Sequence, residues 1–374
     1  MSTRHPDDTP AVRLEDVSKL FGSTVAVEDL TLSVEPGTFV TLLGPSGCGK
    51  TTTLRMIAGL EEPTTGGIWI HGRDAKRFTQ RDRPTSMVFQ DYALFPHLNA
   101  RSNVAFGLKV RGVDRIERER RADEVLATLG LSGMGDRMPR QLSGGQRQRV
   151  AMGRSLILEP RVLLLDEPLG ALDAQVRRQL QVELRQLQRR LGLTFVYVTH
   201  DQEEAMALSD RVVVMNKGRL VQDGAPEEVY RRPRSTFVAR FLGDCNLLQG
   251  RETGADDGQL LIDIERLGQV RVARPDLRVA TDHRMTLALR PEDVRLGAPG
   301  TGRLDGRIVE RTFLGANTRY IVDAEGVRIE AIVDQSIVFE PGVSTGLGWD
   351  DAALTIVVDE GAPVSEPAGE AAQA

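Results

Sequence analysis

The sequence predicts an α/β domain with buried parallel strands, followed by a small β-barrel or sandwich domain. Three observations predict it. Apolar strand-like runs alternate with helical stretches from Val12 to about Arg240, the rhythm of a parallel sheet with crossover helices. A glycine-rich loop ending in Lys50-Thr51 stands between one such strand and one such helix. Beyond residue 245 the text becomes short apolar-polar alternations broken by glycine, which read as short antiparallel strands. The expected layout is a loose polar leader over 1–10, the α/β domain over 11–244 with a helical portion at about 92–160, the barrel over 245–360 and a disordered tail over 361–374.

Bulk properties narrow the class. A chain of 374 residues exceeds the roughly 250 at which single cores stop growing, so more than one domain is expected. Hydrophobic residues make up 40% and charged residues 27%, an ordinary globular balance. The net charge of -5 lacks the basic excess of a dedicated nucleic-acid binder. The two cysteines, Cys48 and Cys245, suit a reducing compartment, since one lies inside the glycine loop. "MSTRHPDDTPAVRLEDV" has no apolar core of signal-peptide length. No run approaches the roughly 18 apolar residues of a membrane span, so work at a membrane would need a partner there.

Each element has its own signal. "GTFVTLLG", "SMVFQ", "RVLLLDEP", "TFVYVTH" and "RVVVMNKGRL" are the candidate strands. "LDAQVRRQLQVELRQLQRRLG" is the clearest helix. Its Leu172, Val176, Leu180, Leu184, Leu187 and Leu191 recur at three and four, and Gly192 is placed to end it. "VRGVDRIERERRADEV" alternates Arg with Glu and Asp, which suits a solvated helix with pairs four apart. The barrel strands are expected in "QLLIDIERLGQVRVA", "MTLALRPEDVRLG", "GRIVERTFLGANTRYIVDAEGVRIEAIV" and "ALTIVVDE".

"FVTLLGPSGCGKTTTLRMIAGL" fits G-x-x-x-x-G-K-[ST] at Gly44, Gly49, Lys50 and Thr51. An apolar strand precedes it and a helix follows, the setting in which the pattern means phosphate binding. Glycines let the backbone of Gly44, Pro45, Ser46, Gly47, Cys48 and Gly49 curl so that N–H groups face phosphate oxygens, and the helix N-terminus adds partial positive charge. Lys50 is expected on the β- and γ-phosphates, Thr51 on Mg²⁺, with Thr52 beside it. "RVLLLDEP" delivers Asp166 to the carboxyl end of a strand, where it can hold the metal, and sets Glu167 to polarise an attacking water. Two acids at a strand end also suit a plain surface; the phosphate loop decides for the catalytic pair. His200 ends "TFVYVTH" and Gln90 ends "MVFQ". Gln90 is a candidate for the metal shell and His200 for the γ-phosphate, and both positions equally suit packing.

A second glycine loop, "LSGGQRQRV", needs its own account, because one nucleotide needs one cradle. Ser143, Gly144 and Gly145 sit before a helical stretch and form another anion-binding helix start. Together "GPSGCGKT", "FQDYALFPHL", "LSGGQRQRV", "VLLLDEP", "LGALD" and "VTHDQ" closely resemble the ATP-binding cassette family, the ATPase subunits of membrane transporters, from about Leu14 to Arg240. The resemblance implies a P-loop NTPase fold, with ATP and Mg²⁺ bound. It also implies that the Ser143 loop closes over the ATP of a second copy, giving two composite sites per dimer. Phe21 is implied as the ring against adenine, where the family often has tyrosine. Asp173 is implied as a residue communicating across the dimer; Gly170 stands where the family often reads serine. "DYALFPHLNARSNVAFGLK", with Phe95, Pro96 and Leu98, resembles the region that receives a helix of the membrane subunit, and it suits an ordinary core as well. Arg147 and Arg149 are expected to brace the helix behind the glycine loop.

A single cassette without membrane helices, followed by a barrel resembling the transport-associated domain, implies an importer ATPase. Its partners would be a second copy, two membrane-spanning permease subunits and, indirectly, an extracytoplasmic solute-binding protein, with no nucleic acid. It would sit at the cytoplasmic face of the cell membrane. The run through "FVARFLGDCNLL" resembles spermidine/putrescine importers most, so polyamine is the expected cargo. Iron(III), sulfate and sugar importers share most of these words. From a different class, a soluble cassette ATPase acting on ribosomes or DNA is the rival.

Overall fold

The computed structural model describes residues 9–170, 174–256, 258–274, 283–334 and 338–359. Most of the expected leader, Leu172, Asp173 and the expected tail lie outside them. The chain divides into two compact units, residues 1–226 and 227–374.

The first unit contains β1 (Val12–Phe21), β2 (Thr24–Val34), β3 (Phe39–Leu43), β4 (Thr65–Ile70), β5 (Arg73–Asp74), β6 (Thr85–Val88), β7 (Val162–Asp166), β8 (Thr194–Thr199), β9 (Arg211–Asn216) and β10 (Arg219–Gly224). Its helices are α1 (Lys50–Ala58), α2 (Ala100–Val110), α3 (Arg115–Thr128), α4 (Gly144–Leu156), α5 (Ala174–Leu191) and α6 (Gln202–Leu208). A six-stranded sheet runs β10-β9-β3-β8-β7-β6, parallel throughout except for the β9–β10 pair. β3, β7 and β8 are buried along their whole length. That is why they read as continuous apolar runs: helices cover both faces of such a sheet.

Two features depart from the expected parallel strands. β2-β1-β4-β5 form a separate antiparallel sheet, whose alternating burial marks one solvated face. "RVVVMNKGRL", expected as one strand, is the hairpin β9–β10. Lys217 and Gly218, with φ of 48° and 83°, make the two-residue turn whose left-handed residues match strand twist.

α2, α3 and α4 build a helical portion around Val104, Ala122, Leu126, Leu131 and Val150. α3 is capped by Asp114 and studded with the exposed pairs Arg115–Glu119, Arg120–Glu117 and Arg120–Glu124. They keep a charged helix solvated and add little stability. α5 buries Leu180, Leu184 and Leu187 as its period predicts, while Leu191 is more than a third exposed. Gly192 follows it with φ 63°.

The second unit holds α7 (Pro226–Arg231) at its start, then α8 (Thr236–Phe241), β11 (Asn246–Asp256), β12 (Gln259–Ile264), β13 (Gly268–Ala273), β14 (Arg284–Leu289), β15 (Arg295–Gly297), β16 (Leu304–Phe313), β17 (Asn317–Ala324), β18 (Val327–Asp334), β19 (Ser344–Gly348) and β20 (Thr355–Val357). The strands form two five-stranded antiparallel sheets, β13-β12-β11-β14-β20 and β15-β19-β16-β17-β18. Ile262, Leu287, Tyr320, Val322, Ile329 and Leu347 from both sheets share one core.

The expected boundary at 244/245 moves to 226/227. Arg290 is the reason. Its buried guanidinium donates to the carbonyls of Ala239 at 2.8 Å, Tyr230 at 3.0 Å and Asp244 at 3.1 Å. It also lies 4.1 Å from the Tyr230 ring. A buried charge must be paired or hydrogen-bonded, so α7 and α8 fold with the β unit. A change of composition cannot register that.

Candidate active site

The phosphate loop is built by close backbone approaches. A Cβ at Gly44 would stand 2.3 Å from Met215 O. Gly49 has φ 102°, and a Cβ there would stand 2.5 Å from Ala26 O. Both positions need the missing side chain. Gly218 N donates to Cys48 O at 3.2 Å, so the β9–β10 turn braces the loop. Thr53 Oγ1 donates to Gly49 O at 3.0 Å, tying the loop to the first turn of α1. The Cys48 thiol is buried, and burial pushes its pKa up.

Lys50 is 5% exposed. Its Nζ donates to Gly44 O at 2.6 Å and Pro45 O at 2.9 Å. The loop's own carbonyls therefore satisfy the ammonium, and a phosphate contact exchanges them for phosphate oxygens.

The remaining groups come from neighbouring strand ends. Register aligns Leu43 of β3 with Thr199 of β8, Val198 of β8 with Asp166 of β7, and Leu165 of β7 with Val88 of β6. The phosphate loop, His200, Glu167 and Gln90 thus leave the carboxyl edge side by side, where open α/β sheets bind ligands. Two clusters form there. Thr51 Oγ1 donates to Asp166 Oδ1 at 2.9 Å. Glu167 takes Gln90 Nε2 at 3.3 Å on one oxygen and faces His200 Nδ1 at 3.1 Å with the other. Asp166 is 7% exposed. Burial raises its pKa first, with the Glu167 charge adding and the Thr51 bond opposing.

Glu167 does not continue the strand. It is not extended: φ is 42°, and its N–H donates to Val198 O at 3.0 Å. The chain turns left-handed at once after β7. That turn, rather than the alternation of a strand, separates Glu167 from Asp166.

The Ser143 loop is a capping box. Gln146 N donates to Ser143 Oγ at 3.3 Å, and Ser143 N to Gln146 Oε1 at 2.9 Å. Gln146 was missed as a contributor, although Ser-x-x-Gln is a legible signal. Gly145 is buried, and a Cβ there would lie 3.2 Å from Leu180 of α5. Arg147 donates to Leu142 O and Arg149 pairs with Glu183, so both brace the helix. Among the described residues, no hydrogen bond or ion pair joins this loop to the phosphate loop of its own chain. Phe21 is about half exposed, with Lys19 Nζ 4.7 Å from its ring centroid. Asp173 lies outside the described residues. The Phe95 ring lies 4.4 Å from that of Phe106, tilted by 44°, while Pro96 is exposed and Leu98 half-buried. Phe95 and Phe106 line an open apolar groove with Met87, Phe89 and Leu158.

Fold and site together define a P-loop ATPase. A family model described as "ABC transporter" matches residues 27–170, and one described as "TOBE domain" matches residues 287–357. A Rhizobium meliloti protein named Fe(3+) ions import ATP-binding protein FbpC 1 is 50% identical over 349 residues, covering 93% of this chain and 98% of that protein. Its Rhizobium etli counterpart is 46% identical over 352 residues, covering 92% and 97%. A Rubrobacter xylanophilus protein named Spermidine/putrescine import ATP-binding protein PotA is 47% identical over 347 residues, covering 91% and 92%. The solved structure of cbiO1 from Clostridium perfringens, described as part of the ABC transporter complex cbiONQ, matches with TM-score 0.55 and 28% identity over 60% of this chain and 91% of its own. The chain belongs to the ABC transporter family as an ATP-binding subunit with a C-terminal TOBE domain.

Proposed function

We propose that this chain is the ATP-hydrolysing subunit of a bacterial importer for iron(III), working as a dimer beneath two separate membrane subunits. The observation that supports hydrolysis is the pairing of clusters at the carboxyl edge: Thr51 with Asp166, and Glu167 between Gln90 and His200. The loop N–H groups and Lys50 bind the triphosphate. Thr51, Asp166 and the Gln90 amide oxygen are hard oxygen donors that suit Mg²⁺ shared with phosphates. Held by these donors, Mg²⁺ would neutralise charge on the triphosphate. Glu167 accepts the proton of the attacking water and orients it. His200 lies beside it toward the γ-phosphate. Ser143, Gly144 and Gly145 close over the nucleotide of the second copy, and Phe21 offers a ring face to adenine. The groove at Phe95 and Phe106 receives an apolar helix of a membrane subunit.

Cargo passes through other chains, so its identity rests on relatives. The first relatives named above import Fe(3+), which favours iron(III) over the polyamine expected from the sequence. The polyamine reading stays second, on the Rubrobacter xylanophilus relative. Among the described residues no helix is long and apolar enough to cross a membrane, and membrane attachment would come through the permease subunits. The test is co-purification from source-cell membranes, followed by uptake assays after gene deletion. Co-purified permease subunits and lost iron(III) uptake support the proposal. Lost putrescine uptake with intact iron uptake selects the second reading. A chain found with ribosomes or DNA instead of permeases makes it a soluble factor.

A further inference from the structure

We propose that Glu204 is a positioning residue for hydrolysis: its buried carboxylate holds the Thr199 hydroxyl that accepts the backbone N–H of Asp201 across His200, and approaches Arg177 of α5. The proposal rests on the reading of Glu167 and His200 given above.

Glu204 lies in α6, after the strand that delivers His200, and is 3% exposed. A carboxylate that deep is tolerated only when fully engaged. Its Oε2 accepts Tyr197 O–H at 2.6 Å and Thr199 Oγ1 at 2.8 Å. Its Oε1 lies 3.8 Å from Arg177 Nε. Thr199 Oγ1 in turn accepts Asp201 N at 2.9 Å. Asp201 Oδ1 accepts Glu204 N at 3.1 Å, and Asp201 Oδ2 accepts Arg177 Nη1 at 3.0 Å. Residue 199 is therefore tied to the Glu204 carboxylate, residue 201 to the Arg177 guanidinium and to the Glu204 backbone N–H, and the two are joined through Thr199 Oγ1 across residue 200.

His200 needs this. Its side chain is 59% exposed, so packing does not aim the imidazole. The backbone must do so, and the contact it serves is the 3.1 Å approach to Glu167. A buried charged cluster is weak evidence for stability, because apolar residues fill such a space at lower desolvation cost. Burial raises the Glu204 carboxyl, and burial beside Glu204 raises the Tyr197 phenol well above its ordinary value; the phenol stays a donor. Arg177 stands in the first turn of α5, just beyond Asp173. The cluster thereby joins the histidine to the helix behind the residue that the family resemblance places at the subunit boundary.

The test is steady-state ATP hydrolysis by the full chain with Glu204→Ala, Glu204→Gln, Tyr197→Phe, His200→Ala and the double variant His200→Ala/Glu204→Ala, each checked for a cooperative melt. Glu204→Ala is expected to lower kcat about tenfold or more while KM for ATP stays within about twofold. Glu204→Gln keeps an acceptor for Tyr197 and Thr199 and should recover much of that loss. In the His200→Ala background, Glu204→Ala should cost nothing further, since coupled residues are non-additive. A folded Glu204→Ala chain with wild-type kcat, or a loss that adds in full to that of His200→Ala, overturns the proposal. If Glu204→Ala fails to fold, Tyr197→Phe and Thr199→Val, which remove the two hydroxyl donors to the carboxylate, replace it; a lowered kcat is expected in both, and wild-type kcat in both overturns the proposal equally. A His200→Ala chain with wild-type turnover refutes the site reading itself, a result distinct from failed coupling.

Discussion

At the residue scale, the backbone of Glu167 is held under strain. Glu167 takes a left-handed φ of 42°, a conformation that costs a non-glycine residue roughly 1–3 kcal/mol and clusters at functional sites. The turn places its two oxygens against Gln90 and His200 rather than beside the Thr51–Asp166 pair. Glu167→Gln keeps that geometry and removes the proposed base. It is expected to bind ATP with near wild-type affinity, lose about 100-fold or more in kcat, and accumulate as an ATP-bound dimer in size-exclusion chromatography. Turnover at the wild-type rate would exclude Glu167 as the base.

Asp166 has the opposite problem, since burial raises its pKa above the unfolded value. A raised acid binds its proton more tightly when folded. Its stabilising contribution is therefore complete below the ordinary carboxylate range and is lost as pH climbs through the raised value. At neutral pH the ionised Asp166 destabilises the protein until a cation compensates it. Asp166→Asn should thus raise the melting temperature at neutral pH without nucleotide, make that temperature less pH-dependent, and abolish hydrolysis. A lower melting temperature across the range would contradict this sign.

At the element scale, the loop depends on the sheet beside it. Gly49 faces Ala26 O of β2, and Gly44 faces Met215 O of β9. Gly49→Ala combines a forbidden φ with a backbone clash. It is expected to cost about 2 kcal/mol or more and to weaken ATP binding, read by denaturant unfolding and by calorimetric titration. An unchanged midpoint would show that the loop moves freely from its neighbours. The phosphate loop was legible because its residues are adjacent in the chain. The antiparallel sheet that presses on it was not, because Ala26, Cys48 and Gly218 meet only after three strands are placed. For the same reason Gln146 has a local signal in Ser-x-x-Gln, whereas nothing local in "DQEEA" marks Glu204. Its partners Tyr197, Thr199 and Arg177 come from different elements.

At the scale of the whole molecule, the proposed site needs two chains. Ser143 is engaged with Gln146 of its own helix, and in the proposed dimer the helix start beyond it would meet a phosphate held by the second chain. In the proposed dimer, a Ser143→Arg chain spoils the partner's nucleotide, while Lys50→Ala spoils its own. Each variant alone should be nearly inactive. Mixed, they form heterodimers with one intact composite site, so turnover should reappear on mixing. A mixture no more active than its components, or a Ser143→Arg chain at full activity alone, would remove the composite site.

The sequence by itself determined the local chemistry: the phosphate cradle, the acids ending an apolar strand, the glycine loop opening a helix and the turn to β structure in the second half. These are written in contiguous residues whose spacing sets their own backbone. Only the tertiary structure decided which strand ends stand together, that Glu167 turns away from Asp166, that α7 and α8 fold with Arg290 of the second unit, and that the buried Glu204 carboxylate takes the hydroxyls of Tyr197 and Thr199. Those outcomes come from contacts between distant segments, where burial and hydrogen-bond satisfaction select partners that no local pattern names.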